Sequence, residues 1–248
     1  RGTVVSSVEE YLRDKKLRVM LLRPRADLPR LLADPQLPHR AAELAHGRAT
    51  RGHIPYDFAM DFREHSKLFC SEVVSAAYEA LGVTLWMGTS HISAPGLRRW
   101  LGDLGVRHFE TQEPSDLEYD PQLAVVAEWR DPETLRKDRR DNAVTEAMLE
   151  GAEAGDELDY PLLLLPLSRI AKGFSAALNL AGRVGPVPEG MSAATALRSL
   201  WYARRHDAIG ALLTGKAAAF SAERGYEPPY WELVRLAREA KRGIDGRE

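Results

Sequence analysis

The chain has 248 residues, of which 34 are Lys or Arg and 36 Asp or Glu, for a formal net charge of −2. That length suits one large domain or two modest ones, with a core that needs no metal or disulfide staple. The balanced charge excludes the basic footprint of a nucleic-acid binder, and no apolar run reaches the ~20 residues that span a bilayer.

In chain order, Ser7-Val8-Glu9-Glu10-Tyr11-Leu12 reads as a short helix, with Ser7 as N-cap and Glu10 at the capping-box position. Leu17 to Arg23 is a short strand closed by Pro24. Helical stretches follow over Asp27 to Leu32 and His39 to Arg48, and Gly52 to Phe58 is an extended loop. From Cys70 the apolar residues Val73, Val74, Ala77 and Leu81 recur at helical spacing, with Glu72, Ser75 and Glu79 on the other face and Gly82 as the stop. This pattern puts Cys70 on the buried stripe, at the helix end nearest the loop.

Another short helix starts at Ser93-Ala94-Pro95 and runs through Leu101, and Leu123 to Trp129 is the clearest strand, stopped by Asp131-Pro132. Beyond Pro132 the chain turns Ala-, Leu-, Arg- and Glu-rich and reads as several helices, with breaks near Gly155, Gly182 to Gly190, Gly215 and Pro228-Pro229. The natural division falls there, between residues 1–132 and residues 133–248. Tyr160 to Leu167 is apolar but carries two prolines and is followed by Arg169 and Lys172. It reads as a core element or a partner-facing surface, not a membrane anchor. Trp86 and Trp100 read as core residues.

The chemistry centres on Cys70, the only cysteine. It cannot close an intramolecular disulfide and lacks the companions of a zinc site, so no metal or other cofactor is expected. It is either a small buried apolar residue or a nucleophile. The start of a helix favours a thiolate, because unpaired N–H groups and the helix dipole stabilise negative charge there. A cysteine hydrolase also needs an oxyanion donor, which the Cys70 N–H can help supply, and a histidine base held by a carboxylate or amide. Seven histidines are present, and His53, His65 and His91 lie nearest in sequence. Sequence logic places none of them as the base. Glu72 points about 200° away from Cys70 on a helix and reads as structural.

Tyr56-Asp57-Phe58, then Phe69-Cys70-Ser71-Glu72-Val73-Val74-Ser75-Ala76-Ala77-Tyr78 and Leu81-Gly82-Val83, resembles the cysteine motif of permuted papain-like amidases of the YiiX and YaeF type. Phe69 stands where that family has tyrosine, and Val73 where it has leucine. The resemblance covers roughly residues 1 to 130. It implies an α+β fold with a circularly permuted papain-like core, incomplete at its N-terminus and followed by a mostly helical C-terminal region. It implies Cys70 as nucleophile and Tyr56, Asp57 and Ser71 around the substrate. It also implies a catalytic His and an orienting Glu on strands that would precede Arg1. The expected activity is a thiol hydrolase working through an acyl-enzyme on a peptide, cell-wall or lipid amide. The alternatives are a lipid acyl hydrolase or acyltransferase, and a catalytically incomplete interaction module.

Overall fold

A computed structural model describes residues 2–13, 16–180, 183 and 185–246; Arg1 and Gly182, named above, lie outside these. The chain is α+β. Its helices are α1 (Val8–Arg13), α2 (Pro29–Ala33), α3 (Leu37–Arg51), α4 (Glu72–Glu79), α5 (Pro95–Asp103), α6 (Pro132–Ala154), α7 (Leu165–Leu180), α8 (Ala193–Arg224) and α9 (Tyr230–Asp245). Strands β1 (Arg18–Pro24) and β4 (Leu123–Arg130) form one antiparallel pair, and β2 (Ser90–His91) and β3 (Glu110–Thr111) another.

The local chemistry follows the sequence closely in the N-terminal part. The Ser7 hydroxyl accepts the Glu10 N–H at 3.1 Å while the Glu10 carboxylate accepts the Ser7 N–H at 3.0 Å, which is the reciprocal cap expected there. β1 and β4 run in register from Arg18 opposite Arg130 to Pro24 opposite Leu123, with an irregularity between Leu21 and Leu22. Arg18 fastens this ribbon: its guanidinium donates twice to Glu118 at 2.7 Å and once to Glu128 at 2.6 Å. Asp131-Pro132 ends β4 and also starts α6, because the Asp131 carboxylate accepts the Thr134 N–H at 2.9 Å and Pro132 needs no partner at the first helical position.

The main core lies among α6, α8 and α9. Leu233, Val234, Leu236, Ala237 and Ala240 form one stripe of α9, and they meet Ala143, Val144, Ala147 and Met148 of α6 and Ile209 and Leu213 of α8. Trp100 of α5 inserts into the same core and lies edge-on to Tyr202, ring centroids 5.5 Å apart. Trp100 is thus a core residue as expected, whereas Trp86 is 70% exposed. Gly96 lets α5 approach α6 this closely: a Cβ there would lie 2.5 Å from the Ala152 carbonyl oxygen. Residues before the division at 132 therefore share a core with helices after it.

Gly155 ends α6 in the left-handed conformation, φ 109°, as its break position requires. Gly215 breaks nothing. α8 runs unbroken through Gly210 and Gly215 to Arg224, because burial of Ile209, Leu213 and Ala217 against α6 and α9 outweighs the ~1 kcal/mol that each helical glycine costs. The apolar run from Tyr160 is not a core element either, since Leu162, Leu163 and Leu167 are exposed.

Leu213→Ala, at a side chain with no solvent exposure, is expected to lower unfolding free energy by about 2–5 kcal/mol. Leu180→Ala, at a side chain 93% exposed, leaves it unchanged; urea denaturation of the two variants checks the contrast.

Candidate functional site

The site is assembled by one backbone strap. Tyr56 and Leu68 form an isolated parallel bridge: the Leu68 N–H donates to Pro55 O at 3.1 Å, and the Asp57 N–H donates to Leu68 O at 3.1 Å. The strap brings the Tyr56-Asp57 pair against the residues that lead into Cys70. Asp57 is buried, and its carboxylate accepts the N–H groups of Ala59 at 2.9 Å and Asp61 at 2.6 Å, closing the turn after Phe58. Within this turn Met60 takes φ 62°, the one non-glycine positive φ among the described residues. Such a conformation persists only where its surroundings over-determine it. Here the Arg107 and His108 N–H groups both donate to Ala59 O at 3.0 Å, pinning the turn from the other side. Asp57 therefore acts through the turn it builds. Tyr56 is 42% exposed, and burial raises its phenol pKa, with negative charge at Cys70 and Asp57 adding to the rise.

Cys70 follows, just before α4, and its side chain is exposed. This corrects the expectation that it lies on a buried stripe. The first turn of the helix departs from that stripe: Glu72 is 1% exposed and Val73 and Val74 are 36% and 41% exposed, while Ala77 stays buried. The cause is a carboxylate cap. Glu72 Oε2 accepts the Phe69 N–H at 2.9 Å and Oε1 lies 3.2 Å from His65 Nδ1, so the acid closes the helix start from inside. Cys70 lies in the turn before the N-cap Ser71, with its side chain exposed. The Cys70 N–H makes no hydrogen bond among the described residues. Ser71 is buried, and its hydroxyl has no hydrogen-bond partner there either.

Tyr56, Asp57, Cys70 and Ser71 are thus gathered in one place. A histidine is not. His65 faces Glu72 and, at 3.7 Å, Glu79; His53 pairs with Glu189 at 2.5 Å; His91 lies 3.6 Å from Glu110, and His108 lies 3.6 Å from Asp61. Among the described residues no histidine bonds to Cys70, and no group of three or more His, Cys, Asp or Glu is arranged to hold a metal ion.

The sequence reading missed an apolar groove of about 370 Å³ between α3 and α4, lined by Leu44, Ile54, Leu68, Val73 and Ala77 together with Arg48 and Arg51. Val73 stands one helical turn beyond Cys70. Arg48 donates to the His65 carbonyl, and the Arg51 Nε to Gly47 O at 2.9 Å; neither pairs with a carboxylate among the described residues. The signal was available: Leu44, Ala45 and Arg48 share one face of α3 at i, i+1 and i+4. Comparison of the chain with protein-family models, with curated proteins and with solved structures finds no match.

Burial raises the Glu72 pKa, opposed by the hydrogen bonds from Phe69 and His65. The folded chain therefore holds this proton more readily than the unfolded chain does. The contribution of Glu72 to stability is full below the ordinary carboxyl range and is lost as pH rises through the raised value. Glu72→Gln keeps an acceptor for the Phe69 N–H. The variant is expected to gain stability over the wild type near neutral pH, with the gain vanishing as pH falls below the ordinary carboxyl range, as thermal melts from neutral to acid pH would register.

Proposed function

We propose that this chain is a thiol hydrolase on a circularly permuted papain-like core, with Cys70 as the nucleophile of an acyl-enzyme. The observation that carries the reading is the exposed Cys70 thiol at the start of α4, strapped beside Tyr56 and Asp57. Free cysteine is among the residue types most often buried, so turning the single one outward at a helix start runs against packing and suits chemistry.

In the proposed reaction Cys70 Sγ attacks the substrate carbonyl carbon. Cys70 attacks as the thiolate, its proton passing to solvent, and the tetrahedral oxyanion takes the Cys70 N–H as donor. Its collapse breaks the bond to the leaving group, which takes a proton from water and departs as the amine or alcohol, leaving a thioester that water cleaves to the acid and the free thiol. Tyr56 and Asp57 act at the rim of this site, Asp57 by holding the turn. The groove beside α4 favours an acyl chain as the transferred group: its lining is apolar, its two arginines suit the carboxylate of the product, and each CH₂ buried is worth about 0.8 kcal/mol.

The absence of a histidine at Cys70 among the described residues favours one competing reading, an interaction module without turnover. The two part on a donor whose leaving group needs no proton. With p-nitrophenyl esters the chain is expected to release p-nitrophenolate in a stoichiometric burst and to gain one acyl group by intact mass, absent in Cys70→Ser. Steady turnover of amides stays low, because a missing member of such a unit forfeits most of the rate. The decanoyl ester should acylate at least about tenfold faster than the acetyl ester, and Val73→Trp should erase that preference. A chain that forms no adduct, or forms it equally in Cys70→Ser, is not a Cys70 hydrolase.

A further inference from the structure

A cleft of about 260 Å³ opens where α8, the segment at Tyr160 and the end of α9 meet. On α8 it is lined by Leu197, Leu200, Trp201, Arg204 and Ala208, whose spacing of three and four residues puts them on one helix face. Tyr160 and Leu164 supply a second wall and Ile244 of α9 a third. The walls are fixed before anything binds. Arg198 lies over the Tyr160 ring at 5.4 Å and pairs with Asp103 at 3.3 Å, while Arg205 lies over the Trp201 ring at 5.0 Å and pairs with Asp245. Pro161 O accepts the Leu164 N–H at 2.9 Å and holds the turn that carries Leu164. Each aromatic ring is thus held by a cation that is itself held by an acid, so a ligand entering here has little ordering left to do. Leu200, on the same face, is 55% exposed, and covering it removes apolar surface from water.

Charge selects the ligand. No Asp or Glu lines the cleft, and of its two arginines Arg205 is matched by Asp245. Arg204 is exposed and makes no hydrogen bond or ion pair among the described residues. Two acids close to the lining in sequence face other groups: Asp207 lies 4.0 Å from His206 Nδ1, and Asp159 accepts the Tyr160 N–H at 2.7 Å. An unpaired guanidinium at the edge of an apolar cleft matches a carboxylate on an apolar body, because its planar fork can bond both carboxylate oxygens at once. Volume bounds the body. An apolar cavity of about 150 Å³ takes a benzene, so this cleft takes a body of about ten carbons.

We propose that this cleft binds a small apolar carboxylate, an acid with a compact body of about ten carbons. The body lies among Tyr160, Leu200 and Trp201, and the carboxylate sits on Arg204. The cleft shares no residue with the Cys70 site or with the α3–α4 groove, so this inference stands or falls apart from the hydrolase reading.

Isothermal titration of the full chain with 2-naphthoate tests it. The chain is expected to bind one 2-naphthoate with Kd below about 1 mM, and the uncharged 2-naphthamide at least about tenfold more weakly. Arg204→Gln should erase that preference by weakening the acid alone about tenfold. Leu200→Ser should weaken acid and amide together, by about tenfold. Both variants should melt like the wild type, since both side chains are exposed. Cys70→Ala and Val73→Trp should bind 2-naphthoate like the wild type. The inference is overturned if the wild type does not bind 2-naphthoate, if it binds the amide as tightly, or if either Arg204→Gln or Leu200→Ser binds the acid as tightly as the wild type. It is equally overturned if Val73→Trp abolishes binding, which would give the ligand to the α3–α4 groove.

Discussion

The packing of Trp100 among α6, α8 and α9 is the constraint on which the rest of the molecule depends. The two sheets are two-stranded, and such ribbons are marginal when isolated. The strongly buried apolar side chains lie mostly in the helices beyond residue 132, and Trp100 carries α5 into them. Order then passes by short covalent steps. α5 leads through buried Val106 to Arg107 and His108, whose N–H groups grip Ala59 O; Ala59 sits in the turn that Asp57 closes, and Asp57 is bonded to Leu68, two residues before Cys70. A thiol on a long loop is thereby held by the largest core in the chain.

Burial of one acid shapes the start of α4 beside that thiol. A buried carboxylate is expensive unless its oxygens are satisfied, and Glu72 meets that condition with the Phe69 N–H and His65. With Glu72 inward, Cys70 lies exposed in the turn before α4 and Val73 lines the groove. The arrangement also engages His65, whose imidazole is held between Glu72 and Glu79 and makes no hydrogen bond to Cys70. One buried acid thus engages the histidine nearest to Cys70 in sequence, while the thiol itself is exposed.

Much of the fold was legible where structure is local. The Ser7–Glu10 cap, the β1 and β4 runs, the Pro95 helix start and the Gly155 stop all follow from residues within a turn of one another, and each stands where the sequence puts it. The errors have one origin, a local rule overridden by a distant contact. Gly215 looks like a break, but tertiary packing keeps α8 whole. Val73 and Val74 look like core, but the Glu72 cap takes the buried place in the first turn of α4. The run from Tyr160 reads as a core element or a partner-facing surface, and its exposure rules out the first; which side of α7 meets the protein depended on Gly185 and Ser175, which only the folded chain brings together. At the candidate site the sequence supplied all four gathered residues, because the motif is contiguous apart from the Tyr56–Leu68 bridge. It could not supply the groove, whose walls come from α3, α4 and the loop at Ile54.

Phe58 joins the candidate site to α7. It follows Tyr56 and Asp57, its ring lies 5.0 Å from that of Tyr56, and it packs against Val187, Met191 and Ala196 together with Ala171 of α7. The loop that carries the candidate site is therefore seated on the inner face of α7, and the His53–Glu189 pair ties the same two segments a second time. The turn that Asp57 closes is thus held from two sides, by Arg107 and His108 after α5 and by the packing of Phe58 against α7 and the start of α8, so the position of the Tyr56–Cys70 loop depends on the C-terminal helices at both contacts.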